Sequence, residues 1–147
     1  MKKKAAKRVR ALAKAGLILG FFGLVFAIAL FGPASTQTLS GSIKVTDTDE
    51  NNSSVFVYDG FCITLRGYSD IGGGTDVIVK DGAGKVIALT QLLRGTPVGL
   101  YGCRFDFEVK LPSSEFYSFS IGDRDEITYS KAELVDRSWR LDLTLGN

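Results

Sequence analysis

The sequence predicts an all-β fold: one sandwich-like domain, immunoglobulin-like or a small barrel, placed after an N-terminal transmembrane helix. Three observations predict it. From Cys103 to Leu111, apolar residues alternate strictly with charged ones, the period of a strand with one buried and one wet face. Two runs rich in Val, Ile and Leu, 75–80 and 85–92, flank Asp81-Gly-Ala-Gly84, a hairpin signal. Ahead of all this stands Ala15–Phe31, seventeen residues without a charge.

As a helix, that first run rises roughly 25 Å, near the lower limit for a bilayer core of about 30 Å. Gly32-Pro33 ends it, since proline cannot continue a helix. Before it, residues 1–14 hold Lys2, Lys3, Lys4, Lys7, Arg8, Arg10 and Lys14 and no acid. Cationic residues stay on the cytoplasmic side, so the expected topology is a cytoplasmic N-terminus with the rest of the chain extracytoplasmic. Gly32 and Ala34 also fit a signal-peptidase site, in which case the remainder is secreted. The apolar run is longer than usual for a cleaved signal, which favours a signal-anchor over 15–33. Gly16 and Gly20 match the small-xxx-small pattern of packed membrane helices, a weak signal because glycine is common in such spans.

The exported remainder is large enough for one modest core. Its charge is −5, with 11 basic residues against 16 acidic ones. The net +2 of the whole chain therefore reflects the orientation signal, and no nucleic-acid partner is expected. Cys62 and Cys103 are the only cysteines. An even pair outside the cytoplasm is most simply a disulfide. With no histidine in the chain, a zinc-type site lacks ligands.

Residues 34–40 are small and polar and read as a tether, with the domain spanning 41–147. Ile43 and Val45 start a first strand, and 47–54 is an acidic loop. Val55–Tyr58 is a second strand or the lead into Cys62–Leu65. Gly67–Gly74 is a glycine-rich loop. After the 75–92 hairpin and the 103–111 strand, Pro112 interrupts. Tyr117, Phe119 and Ile121 alternate with serines. Ser130 and Glu133 form a capping box for one helical turn through Leu134. Trp139, Leu141, Leu143 and Leu145 close the chain as a last strand.

Sites of chemistry are scarce. Asp47, Asp49 and Asn51 begin like a calcium loop, but Asn52 stands where glycine is needed and Tyr58 where the bidentate glutamate belongs. A looser site using Asp47, Asp49, Asp70 and Asp76 is the weak metal candidate; a solvated acidic loop explains the same residues. Gly72–Gly74 precedes neither a Lys-Ser nor a Lys-Thr pair, so it is no P-loop. Ser42 near Lys44 and Ser130 beside Lys131 lack the Ser-x-x-Lys spacing. No enzyme and no cofactor are expected, with an envelope hydrolase the weakest alternative.

Several stretches together carry a resemblance: Gly67-Tyr-Ser-Asp-Ile71, Val77-Ile-Val-Lys-Asp81, Cys103 with Phe105 and Phe107, Ile127-Thr-Tyr-Ser130 and the closing Trp139–Gly146. They resemble a group of uncharacterised small exported or membrane-anchored β-domain proteins of actinobacteria, over residues 41–147. The resemblance implies an exported, disulfide-linked β domain and supplies no activity.

The expected function is that of a single-pass, membrane-anchored extracytoplasmic domain that binds a cell-envelope protein, peptide or glycan. The alternative is a calcium-responsive module. Loops 47–54, 67–74 and 94–101 are the expected binding segments, with Tyr68, Leu100 and Tyr101 their exposed apolar residues.

Overall fold

The computed structural model describes residues 35–47 and 54–146. The basic tail, the apolar segment at 15–33 and Asp49 lie outside those residues. Among the described residues, no helix is long and apolar enough to cross a membrane.

Ten strands are described: β1 (Thr36–Thr46), β2 (Val55–Tyr58), β3 (Phe61–Thr64), β4 (Asp76–Asp81), β5 (Val86–Gln91), β6 (Thr96–Pro97), β7 (Gly102–Pro112), β8 (Phe116–Ile121), β9 (Ile127–Ser130) and β10 (Arg140–Gly146). One 3-10 turn covers Arg66–Tyr68, and one helix, α1, covers Lys131–Asp136. The fold is all-β. One four-stranded sheet has the order β10-β1-β7-β6 and another β5-β4-β8-β9, while β2 and β3 pair only with each other.

The alternation in β7 is realised in full. Cys103, Phe105, Phe107, Val109 and Leu111 are all buried. They join Leu39, Ile43 and Val45 of β1, Val77 and Val79 of β4, and Tyr117, Phe119 and Ile121 of β8 in one hydrophobic cluster. Both four-stranded sheets therefore bury one face in the same core. Gly41 lies opposite Phe107, and a Cβ there would run into the Phe107 ring, so the missing side chain is what admits the aromatic.

β1 begins at Thr36, five residues earlier than expected, so most of the expected tether is strand. Residues 36–40 pair with 108–112 of β7. Only Leu39 among them faces the core, so their polar composition hides a strand whose outer face is wet. β1 also pairs with β10 in parallel. A parallel neighbour requires a crossover rather than a tight turn, and α1 lies on that route.

Ser130 Oγ accepts from the Glu133 amide and the Glu133 carboxylate accepts from the Ser130 amide, as the capping box predicts. Trp139 differs from expectation. It does not start the strand but follows α1 in left-handed backbone (φ 57°) with its neighbour Ser138 (φ 54°). Its amide donates to the Leu134 carbonyl at 2.7 Å, and its ring meets Tyr117 edge-on.

Candidate functional site

The β2–β3 hairpin is built around Asp59-Gly60, two residues with positive φ (47° and 74°). This is the Asp-Gly chemistry of a two-residue turn whose twist matches the flanking strands. Its register places Phe56 opposite Ile63 and Tyr58 opposite Phe61 on one face. Val55 opposite Thr64 and Val57 opposite Cys62 form the other.

The second face holds the hairpin to the domain. Cys62 is bonded to Cys103, with Cα atoms 5.6 Å apart, as the cysteine count predicted. Val55 and Thr64 are buried, and the Thr64 hydroxyl donates to the Ile71 carbonyl. The Leu65 amide donates to the Ser54 carbonyl at 2.8 Å, extending the ladder toward the base. A Cβ on Gly95 would strike the Phe105 ring and crowd Cys62, so a glycine is needed where the hairpin closes on the sheet.

The first face has no such cover. Phe56 is 54% exposed, Tyr58 68%, Ile63 49% and Leu65 44%. Phe61, in the same face, lies beneath the Arg94 guanidinium, 3.0 Å from the ring centroid. With aromatic side chains worth about 150–250 Å² each, the four exposed residues present roughly 400 Å² of apolar surface. That is within the range of the largest apolar patch on a typical monomer, and such patches are often functional. Leu100, 82% exposed, lies in the turn between β6 and β7, near the disulfide.

The residues expected to bind a partner divide. Leu100 is exposed as expected. Tyr68 is half-buried against the core, its ring 5.3 Å from the Arg124 guanidinium carbon. Tyr101 is half-buried too, and its carbonyl accepts from the Asp47 amide. The strongest surface, Phe56, Tyr58, Ile63 and Leu65, was not among the expected sites. Asp59-Gly60 between two short apolar runs was the signal for it. Those runs are apolar on both faces, and a two-stranded element can bury only one of them here.

The candidate metal carboxylates are already engaged where they are described. Asp47 accepts from the Ser54 amide at 2.7 Å. Asp76 accepts from the Gln91 amide nitrogen at 3.0 Å. Asp70 is held by Arg124 through both carboxylate oxygens. Among the described residues, no group of three or more His, Cys, Asp or Glu is arranged to hold a metal ion.

Hollows lie elsewhere on the domain. A cleft of about 90 Å³ lies between Phe119, Ile121 and Ile127 on one side and Ile43, Leu143 and Leu145 on the other. A larger hollow of about 250 Å³ lies on the outer face of β1, β7 and β10. Comparison with protein-family models, with curated proteins and with solved structures found no match.

Proposed function

We propose that this chain is a membrane-anchored, extracytoplasmic β-sandwich that docks a protein of the cell envelope through the outward face of the β2–β3 hairpin. The observation that carries this reading is the exposed set Phe56, Tyr58, Ile63 and Leu65 on an element stapled by a disulfide. Aromatic side chains on a rigid support are the usual anchors of protein interfaces, because they bury much area at little entropic cost. Aliphatic Ile63 and Leu65 beside the aromatics favour an apolar protein surface over a sugar.

The position of the hairpin supports the same reading. The chain enters the domain at Ser35, where Thr36 pairs with Pro112. The disulfide sits at the opposite end of the same pair of strands, where Val45 lies opposite Cys103. At strand rise this is about 30 Å along β1. Within the domain, the hairpin is thus remote from Ser35, the first described residue. The oxidised cysteine pair accords with an extracytoplasmic domain.

The double substitution Phe56→Ser with Ile63→Ser tests the proposal. It removes apolar area at two residues that are about half exposed on a face outside the buried core. The expected result is loss of a specific envelope complex with the unfolding midpoint unchanged or slightly raised. A complex that survives the double substitution in a folded protein contradicts the reading.

A further inference from the structure

The outer face of the β10-β1-β7 sheet has a shape that its wet, charged composition does not require. The central strand presents small side chains there, Ser40 and Ser42, while both flanking strands present long ones. Register places Ser40 between Glu108 and Arg140, and Ser42 between Asp106 and Asp142. Neighbouring strands are about 4.8 Å apart, so the walls stand roughly 10 Å from each other, with Ser40 on the floor and Ser42 buried beside it. One row further on, Lys44 fills the centre between Arg104 and Thr144 and closes that end. The result is the trough of about 250 Å³ lined by Ser40, Arg104, Asp106, Glu108, Arg140 and Asp142.

Its polar groups are arranged unevenly. Arg104 Nε donates to Asp106 at 2.7 Å, and Ser42 Oγ donates to Asp142 at 2.7 Å. Each of those bonds uses one carboxylate oxygen and leaves the other open. Arg140 and Glu108 face each other across Ser40 but form no hydrogen bond or ion pair with each other or with another described side chain. The trough therefore offers arginine donors and carboxylate acceptors on both walls, and one exposed apolar rim residue, Leu93.

We infer that this trough binds a hydroxyl-rich ring, a sugar unit of an envelope glycan. A hydroxyl both donates and accepts, so neighbouring hydroxyls on one ring satisfy Arg140 and Glu108 together. Leu93 can cover the C–H side of the ring. A zwitterion is the competing occupant, but Arg140 and Glu108 are both exposed. At that exposure ion pairing is screened and weak, whereas several hydrogen bonds to charged groups retain directional preference. This inference is independent of the hairpin reading and concerns a different face.

The test is saturation-transfer NMR on the full chain in a detergent without sugar or charged headgroups. Glucose and N-acetylglucosamine serve as sugars and glycine as the zwitterion. The expected result is transfer to the sugars with millimolar affinity, amide shifts at Ser40 and Ser42, and about tenfold weaker binding in either Glu108→Gln or Arg140→Gln. Both side chains point outward, so the variants keep the fold, which the unshifted remainder of the amide spectrum reports. Absence of transfer to either sugar, unchanged binding in both variants, or preferential binding of glycine at these residues overturns the inference.

Discussion

Arg124 holds Asp70 with a two-pronged contact, Nε to Oδ2 at 2.7 Å and a terminal nitrogen to Oδ1 at 2.5 Å. The same terminal nitrogen reaches the Gly67 carbonyl, and the guanidinium lies over Tyr68. One side chain from the β8–β9 turn thereby fixes the glycine-rich loop at 67–74. Gly122, in the same turn at φ 55°, packs against the Asp70 carbonyl so closely that a Cβ would not fit.

Arg124→Leu should therefore destabilise the domain by about 1–2 kcal/mol. That is the range for losing hydrogen bonds to a charged group, discounted because the arginine is about one-third exposed. Asp70→Asn with Arg124→Gln should recover part of the loss, since a neutral pair leaves no charge unmatched. Denaturant unfolding of the wild type and both variants checks both statements.

The disulfide closes 41 residues of chain. Cys62→Ala with Cys103→Ala should lower stability by roughly 2–4 kcal/mol, the range for loss of a native crosslink in a small domain. The loss should concentrate locally, because β2 and β3 pair only with each other. Limited proteolysis of the double variant should cut within 54–65 before the strands of the two larger sheets, while the oxidised wild type resists.

Among the described residues, two carboxyls contribute to the acid response. Glu133 lies below its ordinary value of 4.5, chiefly because it accepts from the Ser130 amide and then from the Ser130 hydroxyl, with a smaller contribution from Arg137. Glu126 is lowered first by the hydrogen bond from Lys80, against some desolvation. A folded-state value below the unfolded one means the folded protein binds those protons less readily. The stabilisation is then present above the unfolded value and lost as pH falls through the lowered one. Stability should fall as pH drops from about 5 toward 3, and Glu133→Gln with Glu126→Gln should flatten the decline. Unfolding midpoints of the wild type and the double variant across that range are the measurement.

Where one side of a strand is buried and the other wet, the fold was readable in the chain. β7, β8, the β4–β5 hairpin and the capping box of α1 all lie where residues such as Phe105, Phe119, Gly84 and Ser130 indicated. The first half of β1 was hidden because Thr36, Gln37, Thr38 and Ser40 leave Leu39 as the single apolar mark. The parallel pairing of β1 with β10 was beyond reach, since no local residue specifies a partner a hundred positions away. Tyr68 looked like an exposed loop aromatic only because its neighbour in space, Arg124, is distant in sequence. Phe56 and Ile63 passed unnoticed for the opposite reason: apolar residues in strands are normally core, and only the three-dimensional packing leaves these outside.

The central claim is that the outward hairpin face meets a protein. A photoreactive amino acid at position 58, in place of Tyr58, should give a discrete adduct on irradiation of intact cells. The same residue at position 110, on the outer face of β7, should give none, and Phe56→Ser with Ile63→Ser should abolish the position-58 adduct. Equal labelling at 58 and 110, or a position-58 adduct indifferent to the loss of Phe56 and Ile63, contradicts the account.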